Sequence, residues 1–279
     1  VTLSTLTVIV HGPRGPEEAW LGALREVVAG RAGAFEVVSV PGAGASAAPA
    51  ARPQPVEASP AALVDRAARE AGGDALLVVE AGAPWEAEGM AQLLDAALAD
   101  GALGLGRPRV PAGEAAAVPA WTFDWTAGSS RDRDLLDELI EAAAVDADRW
   151  SRAIELWEPR AWAVPRETYL ALGGLDPGLW SIGAVEELAL RARAAGVPVR
   201  DVAFPDRTAP RAWPLAAPVR ELLAIRNRVL AAHRSLQPAA LGRELARVAT
   251  LALASAWRRA GIDEARLQFG GQWGSSGSL

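Results

Sequence analysis

The chain contains no cysteine. That excludes a disulfide, a thiolate nucleophile, a cysteine-type zinc site and an iron–sulfur cluster. Its histidines are only two, His11 and His233, too few for a metal site built from several imidazoles. Lysine is absent altogether, since each of the 28 basic residues is an arginine, so Schiff-base chemistry has no amine to use. No apolar run approaches the ~18–20 residues of a bilayer crossing before Gly, Pro or a charge interrupts it. No basic-then-apolar leader opens the sequence, and the expectation is a cytoplasmic protein.

What is present is an ordinary globular composition. Hydrophobic residues make up 51% and charged ones 22% of the 279 residues, enough for a sizeable core and against widespread disorder. The net charge of −6 conceals an asymmetry. Residues 1–218 hold 19 arginines against 30 acids, a net −11, while residues 219–279 hold 9 arginines against 4 acids, a net +5. An acidic body argues against a nucleic-acid partner. The basic C-terminal stretch suits either salt bridges to that body or an anionic surface, such as a protein or the inner face of a membrane.

The first hundred residues alternate strand and helix patterns. Leu6–Val10, Phe35–Val40 and Ala75–Val79 are short β-rich runs. Between them, Glu17–Ala29 carries apolar residues at helical spacing. Ser59-Pro60 offers a capping hydroxyl and a proline at the first helical position, opening a helix that runs to Gly72-Gly73. Trp85–Ala99 is a third helix. Short strands alternating with helices of about thirteen residues indicate βαβ units and an α/β fold with a mostly parallel sheet. Residues 104–120 read as strand plus loop, and Asp132–Asp148 as an acidic helix. Beyond these come a strand over Arg160–Val164, helices over Arg166–Leu172 and Val185–Ala195, and a strand over Val199–Phe204. Two helices split near Pro238 and a mobile Gly/Ser tail complete the pattern.

The segment from Arg160 is the most specific. Ala161-Trp-Ala-Val-Pro-Arg166-Glu-Thr-Tyr-Leu-Ala-Leu-Gly173-Gly174-Leu-Asp176-Pro, then Trp180, then Glu187-Leu-Ala-Leu-Arg191 and Ala-Ala-Gly196-Val-Pro-Val resemble the family-2 glycosyltransferases. Arg226-Asn227-Arg228 resembles a motif near the start of that family's C-terminal helices. The resemblance covers roughly residues 5–235 and implies a GT-A fold. On this reading residues 1–217 form a glycosyltransferase-like domain, with a nucleotide-sugar half at 1–103 and an acceptor half at 104–217. Residues 218–269 form a helical extension and 270–279 a flexible tail.

The same resemblance implies carboxylates after the second and third strands, to hold nucleoside, sugar and metal. A hard divalent cation needs several such oxygens while it bridges a diphosphate. This chain has Pro41-Gly42-Ala43 at the first place and Glu80-Ala81-Gly82 at the second, so only Glu80 can ligate. The family's acidic pair, which includes the base that deprotonates the acceptor hydroxyl, falls on Ala184-Val185. Neither side chain accepts a proton. The His that often follows the next strand is missing from Pro205–Pro214. No resident cofactor is therefore expected, and Mn²⁺ or Mg²⁺ only in a site rebuilt around Glu80.

His11, Arg14, Glu80 and Gly82 are the candidates for contact with a nucleotide sugar. Asp124, Gly174, Asp176 and Trp180 are those for the acceptor, with Trp213 kept beside Trp180. Glu186 and Glu187 are candidates for a displaced base, although acids in a first helical turn are also favoured by the helix dipole alone. Arg14, Arg207 and Arg211 suit a metal-free diphosphate clamp, because guanidinium matches phosphate geometry. Two functions stay open. One is an inverting transfer of a hexosyl group from a nucleotide sugar to a hydroxyl. The other is a non-catalytic relative that binds a nucleotide sugar or a partner transferase. The C-terminal stripe Leu241, Leu245, Val248 and Ala252 suits a homodimer or such a partner.

Overall fold

A computed structural model describes residues 3–12, 18–41, 59–81, 87–99, 101–108, 158–180, 182–204, 217–236 and parts of 238–253. Strands β1 (Leu3–Gly12), β2 (Ala32–Pro41) and β3 (Ala75–Glu80) alternate with helices α1 (Glu18–Val28), α2 (Pro60–Glu70) and α3 (Ala87–Ala99). Then follow β4 (Leu103–Pro108), β5 (Ala161–Pro165), α4 (Arg166–Ala171), a 3-10 turn (Pro177–Leu179), α5 (Ala184–Ala194), β6 (Val199–Phe204) and α6 (Ala217–Ser235). The six strands form one sheet in the order β2-β1-β3-β5-β4-β6. It is a mixed, mostly parallel sheet flanked by helices, the α/β architecture that the sequence pattern indicates.

Strand β1 runs from Leu3 to Gly12, longer than the apolar run Leu6–Val10, because parallel β2 pairs with it from Leu3 to Gly12, while β3 pairs with Leu6 to His11. One strand departs from the parallel pattern: β5 is antiparallel to both β3 and β4. Periodicity carries no direction, so a buried apolar strand of either sense looks alike. The antiparallel course places the approach to β5 beside the carboxyl end of β3, and this matters for the site.

Alternation divides the core between the two faces of the sheet. One face sets Ile9, Leu76, Val78, Trp162 and Val164 against Val64, Ala68, Tyr169 and Leu188 from the helices. The other sets Val8, Val10, Leu77, Val79 and Ala163 against Leu24, Met90, Leu93 and Leu94. On that second face Gly104 lets α3 come close, since a Cβ there would lie 3.0 Å from the Leu93 carbonyl oxygen. Helix α2 begins as the sequence predicts. Ser59 is extended (φ −67°, ψ 148°) and its side chain accepts from Ala62 N at 3.1 Å, with Pro60 next in line.

The C-terminal stripe is divided. Val248 is buried and Leu241 and Ala252 are half-buried, but Leu245 is 41% exposed, as are Leu222 at 58% and Leu253 at 55%. No helix among the described residues is long and apolar enough to cross a membrane.

Candidate functional site

In an open α/β sheet the crevice for a ligand lies beyond the carboxyl ends of strands, where the chain order reverses direction. Here β2 and β3 lie on opposite sides of β1, so the reversal falls between β1 and β3. Their carboxyl ends carry His11 and Glu80, which are register partners. The backbone closes this edge, with Glu80 N donating to Arg160 O at 2.9 Å and Ala81 N to His11 O at 2.8 Å.

Arg160, just ahead of β5, reaches over this edge. Its Nε lies 3.3 Å from Glu80 Oε2 and its Nη2 3.4 Å from Oε1. Both side chains are under one-tenth exposed. The contacts are long for charge-assisted hydrogen bonds, yet they set a guanidinium across both carboxylate oxygens. A divalent cation would meet that positive charge at close range, and a metal site needs several oxygens. Among the described residues no group of three or more His, Cys, Asp or Glu side chains is gathered. These residues do not fit a divalent metal ion.

The turn that follows α4 is held by a second set of arginines. Asp65 of α2 accepts from Tyr169 Oη at 2.7 Å and Leu175 N at 3.1 Å through Oδ1, and from Arg69 Nε at 2.7 Å through Oδ2. Burial, then the Asp65 hydrogen bond, raises the Tyr169 hydroxyl well above the ordinary phenol pKa. The Tyr169 ring stacks on Trp162 with centroids 5.6 Å apart. Arg69 Nη2 also donates to Gly173 O at 2.6 Å, and Arg191 Nη2 to Gly174 O at 2.6 Å. The Gly173-Gly174 turn (φ +87° and +79°) is thus clamped from both sides.

Both acids at the start of α5 are engaged. Glu187 accepts from Arg191 Nε at 2.9 Å and Nη2 at 2.7 Å, so its charge orients the arginine that holds the glycine turn. Glu186 points about 100° away round the helix and pairs with Arg107 of β4, which also donates to Asp201 of β6 at 2.7 Å. The first-turn acids therefore tie α5 to the turn and to the sheet.

Asp176 caps the 3-10 turn, accepting from Gly178 N at 2.7 Å, and pairs with Arg234 of α6. Burial opposes its charge, but the Arg234 hydrogen bond and the Gly178 N–H outweigh that and hold the carboxyl below its ordinary pKa. The three residues of the Arg226-Asn227-Arg228 motif have separate tasks. Arg226 donates to Gly178 O at 2.8 Å. Asn227 donates to Leu179 O at 2.7 Å and Ile182 O at 2.6 Å, and buried Arg228 pairs with buried Glu244. Trp180, between these supports, has φ +63° and ψ −82°, rare for so bulky a residue. Its carbonyl accepts from Ala61 N at 2.8 Å, while its buried indole Nε1 meets no acceptor among the described residues.

Between these two regions lies a cavity of ≈ 40 Å³. It is lined by His11, by Ala61 and Val64 of α2, by Glu158 and Trp162, and by Ala184 and Val185 of α5. Glu158 is 1% exposed and accepts from the N–H of Gly183, the residue that caps the start of α5. The structure therefore groups His11 and Glu80 at one edge, and Gly174, Asp176, Trp180, Glu186 and Glu187 on the other side. Arg14, Gly82, Asp124, Arg207, Arg211 and Trp213 lie outside the described residues. Sequence reasoning passed over Glu158 and Arg160, and over Asp65 as the support of the glycine turn. The one signal was the Glu-Pro-Arg run directly before a strand, which shows its meaning only once that strand is known to be antiparallel.

Among solved structures the chain is similar to a mannosyltransferase from Pyrobaculum calidifontis in complex with GDP-Man and Mn²⁺. The identity is 14%, over 98% of this chain and 80% of that one, with a TM-score of 0.46. It is also similar to glucosyl-3-phosphoglycerate synthase from Mycobacterium tuberculosis in complex with uridine diphosphate, at 14% identity over 83% and 80% of the two chains and a TM-score of 0.45. A further likeness is to a mycobacterial protein, at 16% identity over 83% and 75%, with a TM-score of 0.46. No family model and no curated protein matches the chain.

Proposed function

We propose that the protein is a glycosyltransferase-like protein that takes a nucleoside-diphosphate sugar across the carboxyl ends of β1 and β3, and does so without a divalent metal ion. The observation that carries this reading is the Arg160 guanidinium laid across Glu80 at the reversal point of the sheet. It puts a fixed cation at the edge where the resemblance to family-2 glycosyltransferases implies metal-binding acids. The clamped Gly173-Gly174 turn and the fastened Asp176–Ile182 stretch support an acceptor side opposite. Arg14, Arg207 and Arg211 remain the guanidinium groups suited to receive the diphosphate.

A non-catalytic form of the same reading is favoured by Ala184 and Val185, apolar where the resemblance implies an acidic pair. On that form the protein serves as a binding module or as the partner of an active transferase. The exposed Leu222, Leu245 and Leu253 support association through the C-terminal helices, with a second copy or a partner transferase. The same proposal sets the protein in the cytoplasm, with the basic C-terminal stretch as the part suited to the inner membrane face.

Calorimetry with UDP, GDP and dTDP, each in EDTA and each with Mn²⁺, tests the central claim. Binding of at least one nucleotide, unchanged by chelation, is the expected result. Binding seen only with Mn²⁺, or with none of the three, would overturn it.

A further inference from the structure

We infer that Trp180 is the strained centre of a latch, held set by Asn227 of α6, and that a shift of α6 releases Trp180 into a second backbone conformation. The inference goes beyond the nucleotide-sugar reading. Its test uses no nucleotide, so either can fail without the other.

Three observations converge on this turn. First, Trp180 has φ +63° and ψ −82°, close to the γ-turn geometry at φ about +75° and ψ about −65°, which is rare and strained. Among the described residues it alone has a positive φ without being glycine. Glycine stands close by on both sides, at Gly178 and Gly183, yet the chain puts the bulkiest type of side chain in this position. Second, the side chain is as poorly placed as the backbone. The residue is 4% exposed, and its indole Nε1–H is buried without an acceptor, although native folds leave few buried donors unpaired. Backbone and side chain of one residue therefore both stand to gain from another arrangement. A residue in that state persists only where its surroundings over-determine it, as at clamps and switches.

Third, those surroundings come mainly from one helix. Asn227 is 2% exposed, and its Nδ2 donates to Leu179 O at 2.7 Å and to Ile182 O at 2.6 Å. One amide group thus joins carbonyls on either side of Trp180. Asn227 Oδ1 accepts from Arg226 Nη1 at 2.9 Å, which turns the amide nitrogen towards the turn. Arg226 Nη1 also donates to Gly178 O at 2.8 Å, and Arg234 pairs with Asp176. All three side chains belong to α6. On the far side the tether is Ala61 N to Trp180 O at 2.8 Å. Ala61 is in the first turn of α2, where an N–H has no partner inside the helix, so its release breaks no bond of α2. Ala62 and Leu63 keep their own bonds to Ser59.

The latch ties α6 to the starts of α2 and α5. Ala61, bonded to Trp180, and Ala184, just beyond Ile182 and Gly183, both line the cavity of the site. The set latch therefore keeps that cavity narrow, and movement of α6 is the step that loosens its wall. The alternative is a purely structural Asn227, which would tie α6 to a turn with one conformation.

Nuclear magnetic resonance of the ¹⁵N-labelled full chain separates the two. The indole signal of Trp180 is the one lost in Trp180→Phe, which keeps an aromatic ring and removes an N–H that has no partner. In the wild type this signal should show exchange on the μs–ms timescale, with a minor state of roughly 0.1–10%. In Asn227→Ala it should move to the minor-state position. The Ala61 amide should then exchange its hydrogen at least ~10-fold faster than in the wild type, with Leu63 changed by less than about twofold. A Trp180 signal without exchange in the wild type, or one that Asn227→Ala leaves in place, overturns the latch. If either variant unfolds, hydrogen exchange in the wild type decides. After correction for intrinsic rates, an Ala61 amide at least ~10-fold faster than that of Leu63 supports the latch, and any smaller ratio overturns it.

Discussion

Replacing Gly174 by alanine should destabilise the protein far more than the same change at Gly196. Both glycines have positive φ, +79° and +75°, so each variant pays the left-handed penalty of an L side chain, roughly 1–2 kcal/mol. At Gly196 nothing lies within 4 Å of the added Cβ, and the loss should stop there. At Gly174 the Cβ would stand 2.1 Å from Asp65 Oδ1 and 2.7 Å from Arg69 Nη2. Asp65 must then move away from Tyr169 Oη and Leu175 N, which it holds at 2.7 and 3.1 Å. Leaving a buried donor unsatisfied costs about 1–3 kcal/mol. The sum for Gly174→Ala is roughly 2–5 kcal/mol, a large part of the ~5–15 kcal/mol by which domains are stable. Denaturant unfolding of wild type and the two variants, fitted with a common slope, reads the difference directly. If the two alanine variants unfold within about 0.5 kcal/mol of one another, a margin below either steric term, the account of Asp65 as the fixed support of the glycine turn is wrong.

The buried Arg228–Glu244 pair, with side chains 1% and 4% exposed, predicts a non-additive result. Arg228→Met or Glu244→Leu alone should each cost about 3–5 kcal/mol, and the two together less than their sum, because each single variant strips the other charge of its partner; a double-variant loss equal to the sum of the singles would contradict this. Asp176 has a depressed pKa in the fold, so its contribution is present above the unfolded value of roughly 4 and fades as pH falls below it. Thermal melts from pH 7 to pH 3 should show the gap between wild type and Asp176→Asn closing only in the acid range; a gap constant with pH would refute the assignment. Leu245→Glu and Leu253→Glu, both at exposed positions, should leave the chain folded and lower its mass in size-exclusion chromatography if the C-terminal helices associate. An unchanged mass would remove association from the proposal.

The layout of the sheet was legible because local rules carry it. The runs around Ile9, Val38 and Val78 are apolar and β-branched, α1, α2 and α3 show helical spacing, and Ser59-Pro60 marks a helix start that the structure reproduces. His11 and Glu80 could likewise be assigned to strand ends, because a strand's carboxyl end follows from where its apolar run stops. The glycine turn, Asp176 and Trp180 were legible as a motif. Asn227 was legible only as part of the Arg226-Asn227-Arg228 motif, and that it and Asp65 support this stretch was not legible, since hydrogen bonds across 48 and 110 residues leave no local trace.

Tertiary structure alone decided the chemistry of the edge. Glu186 and Glu187 are neighbours in sequence, but the rotation of α5 sends one to Arg107 and the other to Arg191. Glu80 and Arg160 stand 80 positions apart in the chain and meet because β5 runs antiparallel beside β3. The same reversal brings Glu158 to Gly183 and to the cavity wall. Sequence determined which segments bury an apolar face, since that depends on the spacing of residues along one strand or helix. The Glu187–Arg191 pair, at i and i+4 of one helix, is of the kind that spacing encodes, but which carboxylate meets an arginine of another segment and which a cavity depends on how distant segments pack.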